Sequence, residues 1–514
     1  LLAIARHGED LDLAGERARQ LLGAMDRVET VSIVYLKLQV AETFSLDLPR
    51  LSWWRDRLFG SDDAISEIFL ENLKTATPWV IKEVNIRFLL DQLHRRGGEH
   101  VLHVATHLSN LIKVSERVVV DHKAGDALMA VAPMLTLDQR NEIAIELTKG
   151  LEMGEYEFSK DMPTYLGRFA LFLHPQELDE VIGELGRLVK GSNPRVAPVA
   201  ITTLGTMLQQ YGAYRERFPQ TEEEHDQRRR TILGMILSGM AHYHEPVIDE
   251  TFLVVSRDIF GYEDLSDEEK RFIFRLIHKK LTTLLAEQER SRLSFFNNAA
   301  CLNHIYRFII DYTLRHGPFA FDEREKVAFF PGTFDPFSLS HKGIVREIRN
   351  RGFTVYLALD EFSWSKRTQP RLVRRKIVNM SVADLFHVYL FPDDIPVNIA
   401  NPRDLRRLRS LFPDKELYIA VGSDVIWGAS AYREKPSKDS IHHFHHIIFR
   451  RDREGAYTPE EEELLRQRVL GNRLELSLPP SLEEISSTRI RENIDCNRDI
   501  SNLIDPVAQK YIYD

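Results

Sequence analysis

Cysteine is nearly absent from this chain: there are two in 514 residues, Cys301 and Cys496. Two thiols cannot build a disulfide framework, so stability must come from packing, and a reducing cytoplasm is the expected setting. Long apolar runs are missing as well. The longest uncharged stretch, Val196 to Tyr214, is interrupted by Pro198, Thr202, Thr203, Gln209 and Gln210. That pattern suits a buried helical region and excludes a membrane span. No signal-like segment opens the sequence, which starts at Leu1 rather than Met, so the natural N-terminus is expected upstream. A basic excess is also lacking. Of 68 basic and 77 acidic side chains, residues 326–514 carry 29 and 27, leaving 39 and 50 for the rest. A nearly neutral segment beside an acidic one lacks the extended basic face that nucleic-acid binding requires.

A chain of 514 residues exceeds what one core organises, so two or three domains are expected. The first three-fifths reads as all-helical. Helix starts recur at Ser61-Asp62-Asp63, Thr77-Pro78, Asn193-Pro194 and the capping box Ser266-Asp267-Glu268-Glu269. Ile273, Ile277, Leu281 and Leu284 keep helical spacing. Leu137-Asp138-Gln139 is echoed by His174-Pro175-Gln176 roughly 37–38 residues on, a period found in helical-repeat arrays. A HEAT-like array and an irregular helical bundle both fit. The expected division is a helical scaffold or regulatory region at 1–318, a linker at 319–326, and a third segment at 327–514.

In that third segment the pattern changes. Apolar runs at Val327–Phe330, Val355–Leu359, Val388–Phe391, Leu417–Val421, His446–Phe449 and Leu474–Leu476 alternate with helical stretches, some begun by Asn401-Pro402 and Thr458-Pro459. This predicts a doubly wound parallel sheet of α/β, Rossmann-like type, with ligands at the carboxyl ends of the strands. Immediately after the first strand comes Phe330-Pro331-Gly332-Thr333-Phe334-Asp335-Pro336-Phe337-Ser338-Leu339-Ser340-His341, leading into a helix. Near the end comes a second helix start, Ile485-Ser486-Ser487-Thr488-Arg489-Ile490-Arg491. Each is a helix mouth with hydroxyls or a cation, which suits an anionic group. Two mouths on one ligand suggest a nucleoside triphosphate.

These motifs resemble the signature pair of the nucleotidylyltransferase superfamily, GTFDPxHxGH with ISSTxIR, and within it the bacterial nicotinate-nucleotide adenylyltransferases. Three further features resemble that family over 326–514: the Arg-bearing helix Arg375–Asp384, the strand end Gly422-Ser423-Asp424, and the closing segment Ile504 to Ile512. Two positions depart from it. Ser338 and Ser340 stand where the family has His and Gly; the related phosphopantetheine adenylyltransferases also carry a hydroxyl at the first. Gly at the second would signal positive φ or close backbone approach, which Ser tolerates poorly.

The resemblance implies transfer of AMP from ATP to nicotinate or nicotinamide mononucleotide, with Mg²⁺ arriving on ATP and no dedicated metal site. His341, Ser338 and Arg491 would be catalytic. Gly332, Thr333, Phe334, Ser338, His341, Gly422, Asp424, Ser486, Ser487, Thr488 and Arg491 would bind the nucleotide. Lys366, Arg375, Trp427 and Tyr432 are weaker assignments to the acceptor. Alternatives remain: another phosphate acceptor or cytidylyl transfer, or a helical scaffold with a non-catalytic nucleotide sensor. A protein partner for the helical region also fits.

Other residues read as structural. The run Arg371, Arg374, Arg375 and Lys376 has the pattern of a solvated basic face. His442-His443-Phe444-His445-His446 is a strand entry lacking further metal ligands. His225-Asp226, in an acidic stretch, reads as loop, and His242-Tyr243-His244-Glu245 as ordinary structure.

Overall fold

The computed structural model describes residues 29–513 except 116, 154–160, 288–294, 322, 361–367, 451–456, 478, 480, 481, 483 and 484. It divides into two compact units, residues 1–183 with 210–219, and 184–209 with 220–514.

The first unit is helical throughout its described residues. Three of its helices are Trp79–Arg96, Val101–Val114 and Val118–Val131. Pro78 stands at the N-cap of the first, and Gly97 ends it at φ 85°. They bury Phe88, Leu89, Val104, Leu108, Ala124 and Leu128 completely. Helices also run from Leu137 to Met153 and from Pro175 to Val189, the two places where the sequence repeats itself; the second of these continues past 183, the end of this unit's first segment.

The second unit joins helices to a sheet. Thr221 and Glu224 close a capping box at the head of Glu222–Ser238. His225 therefore lies inside a helix and is buried, which corrects the loop reading. The three consecutive glutamates are a helix first turn, where negative charge opposes the macrodipole. Helix α1 (Asp267–Ala286) starts at the expected Ser266–Glu269 capping box. Helix α2 (Phe295–His316) ends at Gly317, φ 84°.

Six strands follow: β1 (Lys326–Gly332), β2 (Phe353–Leu359), β3 (Val388–Leu390), β4 (Glu416–Gly422), β5 (His445–Phe449) and β6 (Arg473–Leu476). All are parallel, in the order β3-β2-β1-β4-β5-β6. This is the doubly wound, Rossmann-type order, and its switch point lies between β1 and β4. The strands are apolar on both faces because both are covered. Ala328 and Phe330 face a core with Ile344, Val345, Ile348, Ile377 and Val378. Val327 and Phe329 face another with Leu405, Leu408, Ile426 and Leu465. The first core packs helices α3 (Leu339–Asn350), α4 (Arg371–Val382) and α9 (Pro506–Tyr513); the second packs α5 (Pro402–Leu411), α6 (Ser423–Gly428) and α7 (Pro459–Arg468). Helix α8 (Ser487–Asp495) buries Ile490 against Ile485, Ile500 and Ile504.

Helical segments of this unit are bonded to the sheet region by buried charge. Lys280 of α1 is wholly buried and donates to the carbonyls of Val382 and Val388 at 2.8 Å each. Lys190 lies 3.0 Å from Asp384 and 3.1 Å from Asp505, and Lys342 of α3 lies 2.9 and 2.8 Å from the same two carboxylates. Burial alone would push the Asp384 carboxyl up, but Lys342 and Lys190 outweigh it and hold it below the usual range. Glu287 pairs with Arg375 of α4.

Candidate active site

A cleft of about 740 Å³ opens at the carboxyl ends of β1, β2, β4 and β5. Ligands of doubly wound sheets sit at such a place, because loops diverge where strand order reverses. The turn after β1 is tightly built. Phe334 takes φ 46°, a conformation unusual for a bulky residue that costs on the order of 1–3 kcal/mol. A Cβ at Gly332 would meet the Phe334 ring at 2.8 Å, so glycine is needed there. At Gly422, the end of β4, a Cβ would lie 2.2 Å from Asp424 Oδ1, so a larger residue there would turn the Asp424 carboxylate aside.

Ser338 caps α3: its Oγ accepts from the His341 N–H at 3.3 Å. The box closes from His341, whose Nδ1 accepts from the Ser338 backbone N–H at 3.1 Å and lies 2.8 Å from Ser338 Oγ. A backbone amide can only donate, so Nδ1 is the acceptor and the neutral ring carries its proton on Nε2. Phe334 edge-on and Phe337 stacked, both centred 5.3 Å away, fix the ring plane. His341 lines the cleft, whereas Ser338 is 1% exposed and is not among the lining residues. Ser338 thus positions His341. Ser340 lies within the first turn of α3, in ordinary helical backbone, so the position does not require glycine's positive φ. Its buried Oγ has no hydrogen-bond partner among the described residues.

The second mouth faces the same space. Ser486, Ser487, Thr488 and Arg491 line the cleft together with Gly332, Thr333, Phe334, His341, Gly422 and Asp424. Ser486 caps α8 by accepting from the Arg489 N–H at 3.2 Å. Ser487 Oγ donates to the Pro336 carbonyl at 3.0 Å, and Arg491 donates to the Asp335 carbonyl at 2.5 Å. Those two bonds tie α8 to the turn after β1, so the helix mouths are held together across more than 150 residues of sequence.

Three of the four weaker assignments fall elsewhere. Lys366 lies outside the described residues. Arg375 is engaged by Glu287 and by Asp393 at 2.7 Å, and does not line the cleft. Tyr432 is 2% exposed, packed in the core, with its hydroxyl 2.8 Å from His446 Nε2. Trp427 packs edge-on against Tyr457 at 6.2 Å and also leaves the cleft lining to others. Burial pushes His446 down to about 4, so it is a neutral core residue.

Sequence reasoning missed Asp360, Arg371, Phe449, Asp404 and the loop 396–400, all of which line the cleft. Asp360 directly follows β2 and Phe449 ends β5, so the strand-end rule could have found them. It also missed Arg374. Far from a solvated face, Arg374 is 2% exposed and donates to the carbonyls of Gln369, Thr333 and Asp360 at 3.0, 2.5 and 3.1 Å. It fastens the ends of β1 and β2 where the cleft opens. Burial pushes the Asp360 carboxyl up, with Arg374 pulling against it.

No family model matches this sequence, and no curated protein does. Among the described residues no helix is long and apolar enough to cross a membrane. Two solved structures similar to part of this chain are of Plasmodium falciparum nicotinic acid mononucleotide adenylyltransferase. The complex with NaAD is 17% identical with a TM-score of 0.31, covering 37% of this chain and 95% of that one. The complex with APC is 17% identical with a TM-score of 0.30, covering 37% and 94%. The doubly wound fold is established by strand order and register, independently of these matches.

Proposed function

We propose that residues 327–514 transfer the AMP moiety of ATP to nicotinate or nicotinamide mononucleotide, releasing pyrophosphate. The observation that carries this reading is the pair of tied helix mouths on one cleft that His341 also lines. Oriented amides at two helix N-termini suit the outer phosphates of a triphosphate. A phosphate oxygen of the acceptor attacks the α-phosphorus, a P–O bond forms, and the bond to the β-phosphate bridge breaks. Such a transfer needs positioning and charge neutralisation rather than an enzyme nucleophile. His341 Nε2–H donates to an oxygen on the α- or β-phosphate as charge builds. Arg491, whose charge is permanent, sits at the pyrophosphate end, and Ser487 and Thr488 orient that group.

Mg²⁺ arriving with ATP would supply charge neutralisation at the phosphates. Among the cleft residues, the carboxylates Asp335 and Asp424 have the chemistry to order its water shell. The acceptor occupies the side formed by Asp360, Arg371 and loop 396–400, in place of the expected Arg375, Trp427 and Tyr432. Because neither Trp427 nor Tyr432 lines the cleft to stack on a pyridine ring, a second reading is transfer to another phosphate acceptor, cytidylyl transfer included. The helical region at 1–318 is assigned scaffolding or partner binding, as a HEAT-like array would provide.

The test is incubation of the chain with ATP, Mg²⁺ and each mononucleotide in turn, with dinucleotide and pyrophosphate measured by mass. Dinucleotide from either acceptor supports the reading. Tight ATP binding with no pyrophosphate from any phosphate acceptor would replace it with a nucleotide sensor.

A further inference from the structure

Helix α2 buries Cys301, Ile305, Phe308 and Tyr312, at most 8% exposed, against its own unit. A helix 22 residues long with such a face ordinarily turns polar residues outward. This one also turns out Leu302, Tyr306, Ile310 and Leu314, exposed by 48%, 62%, 39% and 81%. They recur every four residues, so they form one continuous ridge along the helix. Among the described residues, the unit's other exposed large apolar side chains, Phe321, Leu372, Leu411 and Leu470, are far apart from one another in sequence. Single residues of that kind need no partner, whereas a row of four does.

The flank of the ridge carries Arg307 and Asp311, both exposed, and neither forms an ion pair with any described residue. Opposite charges one helical turn apart are self-complementary under two-fold symmetry. When two antiparallel copies are related by an axis level with Phe308, the same flank meets its own copy reversed. Leu302 then meets the partner's Leu314, Tyr306 meets the partner's Ile310, and Arg307 lies within about 3 Å, along the helix axis, of being level with the partner's Asp311. Each contact occurs twice. A partner of one charge sign would leave either Arg307 or Asp311 facing its like; a second copy satisfies both.

We propose that this face of α2 is an interface with a second copy of this chain, packed antiparallel about that axis. One helix pair falls short of the ~1,200–2,000 Å² of a stable interface, so association is reversible at about micromolar concentration. The proposal is independent of the chemistry in the cleft.

Sedimentation equilibrium of the full chain, from about 1 to about 100 µM, measures it. The expected result is a monomer–dimer equilibrium. Leu314→Ser and Arg307→Glu should each weaken it at least about tenfold, and Arg307→Glu with Asp311→Arg should restore it to within about threefold. All of these side chains are exposed, so the variants should melt within about 2 °C of the parent. A monomer throughout the range overturns the proposal. So does a dimer that Leu314→Ser and Arg307→Glu leave unchanged, or one that the charge swap fails to restore.

Discussion

Replacing Lys190 with Met should destabilise the sheet-bearing unit far more than an ordinary surface lysine would. Lys190 Nζ lies 3.0 Å from Asp384 and 3.1 Å from Asp505, carboxylates that are 14% and 3% exposed. Lys342 touches the same two oxygens and the half-exposed Arg346 reaches Asp384 only at 3.9 Å, so two buried cations balance two buried anions. Without Lys190, two buried carboxylates share one ammonium. Breaking a buried pair by removing one partner costs roughly 3–5 kcal/mol, and we expect a fall in melting temperature on the order of 10 °C. Lys149→Ala is the control; its pair with Glu146 is 63% and 45% exposed and should cost less than about 0.5 kcal/mol.

The pH dependence has a definite sign. Asp384 is held below its unfolded value, so its stabilisation is complete above about pH 4 and fades as pH falls through the depressed folded value. The gap between parent and Lys190→Met should therefore be constant from about pH 8 to 5 and close in stronger acid. Lys190→Met with Asp384→Asn removes one charge of each sign, and should cost at least about 2 kcal/mol less than the two single changes added. Thermal melting with hydrogen exchange on the α9 peptides reads this out, because Asp505 Oδ1 accepts from the Val507 N–H at the start of that helix. If Lys190→Met behaves like Lys149→Ala, or if the double variant is additive, the network is not what joins these elements.

Other outcomes follow from the same structure. Burial lowers the Lys280 ammonium to about 7. The unfolded chain then holds one more proton between about pH 7 and 10, so the parent should gain stability over Lys280→Met with rising pH, by up to about 1.4 kcal/mol per unit. Denaturant titrations at pH 7, 8 and 9 check this, and a gap that narrows would contradict it. Arg374→Met strands three carbonyls at the cleft mouth, at about 1–3 kcal/mol each, and should abolish ATP binding as measured by calorimetry; retained affinity would refute its role. Ser338→Ala removes a helix cap and should cost about 1 kcal/mol while lowering turnover about tenfold with ATP affinity nearly unchanged. A rise in the Michaelis constant for ATP alone would instead mean that Ser338 touches phosphate.

Much of the sheet-bearing unit was legible because its signals are local. Strands buried on both faces read as apolar runs, and caps such as Ser266–Glu269, Asn401 and Thr458–Glu461 are written in adjacent residues. The two helix mouths were legible for the same reason. That they are tied by Ser487 to the Pro336 carbonyl was not, because a bond to a backbone oxygen leaves no residue-type signature. Arg374 and Arg375 misled for a related reason. A run of basic residues looks solvated unless the buried carbonyls and the distant Glu287 that receive it are known. Tyr432 and Trp427 follow the β4 motif closely, but an aromatic beside a strand end can turn to the cleft or to the core, and sequence distance does not decide which. His225 failed by neglect of the capping box before it, whose Thr221 and Glu224 were there to be read.

The central claim is that the cleft presents the Nε2–H of His341 to a phosphate losing its leaving group. The most direct test compares parent and His341→Ala for dinucleotide formation from ATP with nicotinate or nicotinamide mononucleotide, alongside ATP affinity. The account predicts a fall in turnover on the order of 10²–10³-fold with ATP dissociation changed by less than about threefold. A fall of less than about threefold in turnover would contradict it.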